Sequence, residues 1–437
     1  MGQDEAFRLR DLILGGGCAI GRSGRPCGVN RRCRLASEAE HFDVIVVGGG
    51  VIGCSVAFYA AGIGARVLVL EKAAFGGGAS SANPGSVALS SKQPGRSLDL
   101  AIASRILYET LQAELDADLE FAVEGNLTIA ETPEELAFVE DLSNGQRLAG
   151  VPVRSLSADE CRALNPLLEG PIVGGAHCPI DAHTNPFLVT AAFARGAVKR
   201  GAQLRPRVEV LGIDQGEAGK LTVRTVNGPI TCDHVVNAAG LAAPRIGAML
   251  GLDHDVIPRA GHVAVLEAAG PCARVKTASA SQLLAKHGPE NPASRAGISL
   301  SYNYKPASGT ILLGGSNQKG IASREVSLDI MAGIIAGACR LMPRLEDLTI
   351  LRAWAGVRPY APGGPILGRA GADERYLAAF GHGGDGMALA PVTGRYVAEQ
   401  LRSSRELSLE EFLATMPGGG GLAALAVEMN EHAAGDA

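Results

Sequence analysis

The foldable part of the chain opens with runs of consecutive apolar residues. Phe42-Asp43-Val44-Ile45-Val46-Val47 is β-branched and unbroken enough to predict a parallel strand buried on both faces. Gly48-Gly49-Gly50-Val51-Ile52-Gly53 follows, and Cys54 to Ala61 reads as a helix of small and apolar residues. A second apolar run, Ala65 to Glu71, ends on an acid. Strand, glycine turn, helix and strand within about 30 residues make a βαβ unit. Further on, helical spacing predicts helices over Leu98–Leu115, Pro133–Gln146, Pro186–Arg200, Ser327–Leu341 and Met387–Leu401. Strands are predicted at Asn126–Ala130, Val208–Ile213, Leu221–Val226, Thr231–Asn237, Val263–Leu266, Ile298–Tyr304, Thr310–Leu313 and Tyr376–Phe380. Strand Thr231–Asn237 is expected to return to the first sheet.

A length of 437 residues predicts two or three domains. The 46% hydrophobic and 19% charged composition is that of a globular protein, and a net charge of −5 argues against nucleic-acid binding. No apolar run is long enough for a transmembrane helix, and the N-terminus lacks the apolar core of a secretory signal. The 9 Cys include no CxxC, which points to a reducing, cytoplasmic setting. Residues 1–40 differ from the rest. They carry Cys18, Cys27, Cys33 and a Gly15-Gly16-Gly17 run, but three Cys without a fourth ligand do not close a metal site. They are expected to be a disordered extension, and no metal is expected elsewhere. The glycine-rich tail from Pro417 is expected to be mobile.

Gly48-x-Gly50-x-x-Gly53 has the context that gives this pattern meaning: a strand before it, a helix after it, and Glu71 at the end of the next strand. The first glycine makes the turn, the second admits a pyrophosphate, and the third lets helix pack on strand. The helix start, with Val51 and Ile52, presents free N–H groups to phosphate. Glu71, followed by Lys72, is placed to accept from ribose hydroxyls. Two further segments favour a flavin over a nicotinamide dinucleotide. Gly78 to Gly85 is rich in hydroxyls and small residues, and Gly381-His382-Gly383-Gly384-Asp385-Gly386-Met387 opens a second helix. That second N-terminus suits the pyrimidine edge of a reduced flavin.

These segments together resemble the D-amino-acid oxidase and glycine oxidase family of FAD-dependent oxidoreductases. The resemblance is carried by Val44 to Gly50, Ser80-Ser81-Ala82-Asn83-Pro84-Gly85, Val235-Val236-Asn237-Ala238-Ala239-Gly240, Trp354-Ala355-Gly356-Val357-Arg358-Pro359 and Gly381 to Pro391. It implies an α/β fold: an FAD-binding Rossmann-type domain of the glutathione-reductase kind, with an interleaved α+β substrate domain holding a large mixed or antiparallel sheet. The FAD domain would comprise 42–90, 186–257 and 345–401. The substrate domain would comprise 91–185 and 258–344, and 402–437 would be a tail. The resemblance further implies that Gly48, Gly50, Gly53 and Glu71 bind the AMP half of FAD. Ser80, Ser81, Asn83 and Gly85 would lie along pyrophosphate and flavin. Val208, Ala239 and Gly240 would pass the adenosine side, and Gly356 and Gly383 to Met387 the isoalloxazine. FAD would be non-covalent, since no Cys follows Cys339.

Arg358 stands where the family pairs an Arg with the substrate carboxylate, a planar group that a guanidinium fork matches. Two departures mark the pocket as different: Gly384 replaces the Arg of glycine oxidase, and no Asp follows the Arg-Pro pair. A closer resemblance is to flavin subunits of opine oxidase, D-hydroxyproline or proline dehydrogenase and HCN synthase. It is carried by Lys92-Gln93-Pro94-Gly95, Gly125-Asn126-Leu127 and Asp181 to Pro186. It implies oxidation of an amino acid, or of an N-substituted or cyclic one, to the imine by hydride transfer to flavin N5. Electrons would pass to a quinone or to a partner subunit carrying iron–sulfur or a second flavin. The location would be cytoplasmic, with at most peripheral contact with the inner face of the membrane. An O₂-using oxidase and a non-catalytic electron-relay subunit are the alternatives. His382 and Tyr302 join Arg358 as candidates for touching substrate. A loop His is more often structural, and Tyr302 and Tyr304 share a strand face that either roofs the pocket or packs.

Overall fold

The computed structural model describes residues 40–416 apart from 217–218, 269, 271, 288–296, 372 and 404. The expectations for residues 1–39 and for the tail beyond 416 lie outside the described residues. Strand His41–Val47 is flanked in parallel by Val67–Glu71 on one side and Gly228–Asn237 on the other. Gln203–Pro206 extends the sheet past Val67–Glu71. Gly228–Asn237 divides its pairing: its first half folds antiparallel against Leu221–Thr225, and Val235–Asn237 pairs in parallel with Tyr376–Phe380. With Val210–Gln215 and Ile366–Arg369 this makes an eight-stranded sheet.

Helix Val51–Gly62 lies against this sheet, and 10 of its residues are buried. It is apolar on every side, as a helix covered on every side must be. Small residues let its neighbours close in. Ser55 Oγ donates to the Ala390 carbonyl at 2.7 Å, and a Cβ on Gly394 would stand 2.2 Å from that hydroxyl. Helix Gly386–Arg402 packs there, and Phe58 meets Phe193 of helix Pro186–Lys199 edge to face.

The second sheet has nine strands. Its spine is the antiparallel pair Ile257–Glu267 and Ile350–Tyr360, in register from Ile257 opposite Tyr360 to Val265 opposite Arg352, with a bulge before Leu266 meets Ile350. Thr310–Gly314, Ser301–Lys305, Lys276–Ser279 and Asn126–Ala130 continue it. Helix Leu328–Leu341 covers one face, against Ala264, Tyr302, Ile311 and Leu313.

Two placements differ from expectation. Strand Ile350–Tyr360 pairs in the second sheet, although its segment is expected with the first. Helix Arg96–Leu115, expected in the substrate domain, buries Tyr108, Leu111 and Leu115 in the core around helix Val51–Gly62. The edge strand Gln203–Pro206 and helix Ala280–His287 are among the elements not anticipated, as are helix Ala158–Leu164 and strand Gly174–Cys178. No described helix is long and apolar enough to cross a membrane.

Candidate active site

The glycine turn has the close approaches that the pattern predicts. Gly48 has φ +113°, and a Cβ on it would lie 2.4 Å from the Ala238 carbonyl oxygen. A Cβ on Gly53 would lie 1.9 Å from the Gly48 carbonyl oxygen, so only glycine lets the helix start this close to the strand. Glu71 fixes the turn from the neighbouring strand: one carboxylate oxygen accepts from Gly49 N–H and the other from Ala73 N–H, each at 2.8 Å. Val208 N–H donates to the Glu71 carbonyl at 2.9 Å, which brings Val208 to the same end. Lys72 beside it is exposed. Gly50 offers no side chain as helix cap, and Val51 N–H donates to Ser80 Oγ at 2.9 Å. Ser80 thus stands at the helix N-terminus, where Ile52 and Gly53 also present N–H groups.

Ser80 is held by a self-bonded loop. Asn83 Nδ2 donates to the Ser80 carbonyl at 2.7 Å, its Oδ1 accepts from Gly85 N–H at 2.8 Å, and Ser81 Oγ donates to the Gly78 carbonyl. Gly85 has φ +77° and touches the Thr184 carbonyl so closely that a Cβ would lie 1.9 Å away. The second sheet meets this loop. Trp354 Nε1 donates to the Ala82 carbonyl at 3.2 Å, a Cβ on Gly356 would press Ala82 at 2.6 Å, and Asn303 reaches the Pro84 carbonyl. Gly240, with φ +58°, follows Ala239 and faces Pro359.

Residues across an antiparallel ladder share a face, so Arg358 lies on the same face as Arg259, Gly356 and Trp354. Its guanidinium donates to the Ser316 carbonyl at 3.1 Å and the Ala260 carbonyl at 3.4 Å. Among the described residues it forms no ion pair. Gly261 makes its space, since a Cβ there would stand 2.3 Å from Arg358 Nη1. Gly384 lies against its aliphatic stem. Burial lowers the Arg358 pKa, and nearby Asp385 opposes that shift.

The loop before the last helix packs on the same strand: Gly383 N–H donates to the Pro359 carbonyl at 2.8 Å, and the Met387 carbonyl accepts from Tyr108 at 2.6 Å. Gly386 and Met387 open the helix, whose first turn points unpartnered N–H groups outward. Asp385 is bridged by Lys92 Nζ at 2.9 Å and Lys286 Nζ at 3.0 Å. Burial alone would raise its carboxyl pKa, but the two ammoniums hold it well below the usual carboxylate range.

Two candidates are placed elsewhere. Tyr302 points to the opposite face of the sheet, fully buried against helix Leu328–Leu341, with its hydroxyl on the Ala273 carbonyl at 3.2 Å. It is a core residue here, because strand alternation gives the face shared with Arg358 to Ser301 and Asn303. His382 is buried, its Nε2 shares a 3.0 Å hydrogen bond with Thr393 Oγ1, and burial pushes its pKa down to about 4. The ring pins the loop to the last helix. His183 likewise pairs with Glu124 at 2.7 Å. The Cys54 thiol, pushed up to about 12 by burial and by Glu71, is inert packing. Lys286, which the sequence pattern does not single out, pairs with Asp385. A lysine in a strand-rich stretch normally reads as a solvated face.

The arrangement fits FAD. The Gly48–Gly53 turn and the Ser80–Gly85 loop form a cradle that side chains would fill, and among the described residues the buried Oδ1 of Asn303, whose amide reaches Pro84 of the loop, has no partner. The family described as FAD dependent oxidoreductase (DAO) matches residues 43–400, and the chain belongs to it. It is therefore an FAD-dependent oxidoreductase. Glycine oxidase from Geobacillus kaustophilus (strain HTA426) is 30% identical over 368 residues, covering 82% of this chain and 93% of that protein. The crystal structure of glycine oxidase from Geobacillus kaustophilus superposes with TM-score 0.76 at 28% identity, over 87% of this chain and 100% of that one. L-proline dehydrogenase from P. horikoshii gives TM-score 0.73 at 25% identity, covering 85% and 96%. Hydrogen cyanide synthase subunit HcnC of Pseudomonas aeruginosa (strain PAO1) is 27% identical over 396 residues, 81% of this chain and 90% of that protein.

Proposed function

We propose that the chain oxidises an amine whose carbon also bears a carboxylate, and that Arg358 receives that carboxylate. The observation that carries this is a guanidinium beside the Gly383–Met387 loop, on the sheet face that meets the Ser80–Gly85 loop, with only carbonyl partners among the described residues. An ion-pairing fork left with carbonyls suits an anionic ligand. FAD, when bound, supplies the acceptor for the electron pair lost as amine becomes imine. The chain's own task is orientation: Arg358 would fix one end of the substrate and so limit how it can present its carbon–hydrogen bond. The N–H groups of Gly386 and Met387 at the helix start would favour negative charge on a cofactor bound there. No side chain need act as base if the amine arrives neutral. Gly48, Gly50, Gly53, Glu71, Ser80 and Asn83 hold the dinucleotide in this reading.

A named subunit of a synthase among the relatives supports electron delivery to a partner protein or a quinone. The likeness to glycine oxidase favours O₂ instead. Anaerobic mixing with amino acids and N-substituted amino acids is expected to bleach the bound flavin, and Arg358→Ala to raise the KM at least 100-fold. Full activity in Arg358→Ala would refute the anchor. Stoichiometric hydrogen peroxide in air would refute the dehydrogenase reading.

A further inference from the structure

Residues 320–327 form a strap of irregular backbone between strand Gln318–Lys319 and helix Leu328–Leu341, and 320–326 are all exposed. The second sheet holds the strap at its two ends. Gly320 N–H donates to the Pro258 carbonyl at 2.8 Å, and Ser327 N–H donates to His262 Nε2 at 3.1 Å. His262 is itself fixed: it is buried, and its Nδ1 shares a 3.0 Å hydrogen bond with Ser316 Oγ. Between these ends the strap stands off its own sheet. A cleft of about 220 Å³ lies beneath it, lined by His262 and by Ile321, Ser323 and Val326 of the strap.

One side chain carries the strap across to the dinucleotide turn. Both Nη atoms of Arg324 donate to the Gly77 carbonyl, each at 3.1 Å, and among the described residues the guanidinium has no other partner. Gly77 is the middle of Gly76-Gly77-Gly78, a run with no side chains to pack and much backbone freedom to lose on ordering. Its two flanks are the two walls of the cradle. On one side Gly76 N–H donates to the Gly49 carbonyl at 2.8 Å, and the Phe75 ring lies so close that a Cβ on Gly49 would stand 2.5 Å from it. On the other side, three residues beyond Gly77, Ser80 Oγ accepts from Val51 N–H at the helix start. The glycine run joins these walls, and Arg324 pins its midpoint from the other sheet.

We propose that Arg324 and its strap are a latch on the cofactor: FAD enters and leaves when the fork releases Gly77 and the Phe75–Ser80 loop swings off the glycine turn. Arg324 is a positioning residue, acting through Gly77 and touching no reacting atom, and the latch acts whatever amine is oxidised. An exposed fork on one neutral carbonyl is a contact that breaks and re-forms, so it governs rates of exchange. The clasp is made of protein atoms alone and must open for entry as well as for exit. Its removal therefore speeds both steps by the same factor and leaves the Kd in place.

The test follows cofactor exchange. FAD-loaded protein is chased with an excess of a deazaflavin analogue of FAD, and release is read from the visible spectrum. Uptake is read from the change in flavin fluorescence when apoprotein meets FAD. Arg324→Ala is expected to speed release and uptake alike, roughly five- to ten-fold, with the Kd moved by less than about two-fold. Arg324→Lys, which keeps a single donor group, should fall between. The side chain is exposed and has no second partner among the described residues, so both variants should fold and keep the wild-type unfolding midpoint. The acceleration in Arg324→Ala should not change with salt, because the accepting carbonyl is neutral. Unchanged exchange rates in Arg324→Ala would overturn the latch. So would slower uptake with weaker, salt-dependent binding, which would place the guanidinium on the FAD phosphates instead.

Discussion

Gly85 and Gly261 show how differently two glycines can matter. A Cβ on Gly85 would meet the Thr184 backbone oxygen at 1.9 Å, at φ +77°. Neither the backbone nor its neighbour can yield cheaply, so Gly85→Ala is expected to cost roughly 3 kcal/mol, read as a lower denaturant midpoint. A Cβ on Gly261 would meet the tip of Arg358, the far end of a flexible side chain. Gly261→Ala should therefore change stability by less than about 1 kcal/mol. It should still displace the guanidinium and raise the KM for the amino acid at least ten-fold. An unchanged KM would show that Arg358 does not hold substrate in the position described. At this scale the sequence was legible wherever a residue type is forced by backbone geometry, as at Gly48, Gly53 and Gly85. It was not legible for Tyr302, whose strand was recognised but whose face is set by what packs beneath it.

At the level of elements, the apolar runs around Val44, Val67 and Val235 and the amphipathic helix at Leu328–Leu341 could be read directly, because each buries a pattern matching its own period. Strand Gln203–Pro206 could not: it is an edge strand of mixed polarity, held by parallel bonds to Val67–Glu71. Helix Ala280–His287 was hidden for a different reason. Its terminal Lys286 is tied inward to Asp385, whereas a basic last turn ordinarily faces water. That tie joins the helix to the Gly383–Met387 loop and makes a test of it. Asp385→Asn leaves Lys92 and Lys286 buried without a carboxylate, a loss of roughly 2–4 kcal/mol at pH 7. The loss depends on pH with a definite sign. Lys286 is lowered from its ordinary 10.5 to about 8, with Asp385, Lys92 and Arg358 facing it. Above pH 8 the folded protein can shed that proton while the unfolded chain keeps it, so the cost of burying the ammonium fades between pH 8 and 10.5. The stability gap between wild type and Asp385→Asn should therefore be wider at pH 7 than at pH 9.5, measured by urea unfolding. A gap independent of pH would mean that the pair contributes packing and not charge.

At the scale of the molecule, the proposed site draws on residues 48–53, 80–86, 354–358 and 383–387, which no local pattern could have grouped. The strand Ile350–Tyr360 brings them together. It is paired along its length in the second sheet, yet it delivers Trp354, Gly356 and Arg358 to a loop rooted in the first. Such a site should make FAD a link between the two sheets. At free FAD a hundredfold above its Kd, the native state gains about 2.7 kcal/mol, which for a chain of this size raises Tm by roughly 3 °C. Trp354, the sole Trp, lies where sheet and loop touch, so its fluorescence reports on that contact while far-UV circular dichroism follows both sheets. The two signals are expected to melt together and to shift together when FAD is added to the apoprotein. A Trp354 transition that moves with FAD while the circular dichroism transition stays fixed would show that the cofactor clamps the junction without coupling the sheets. Arg358 and the glycine loop would then be held in register by their local contacts alone.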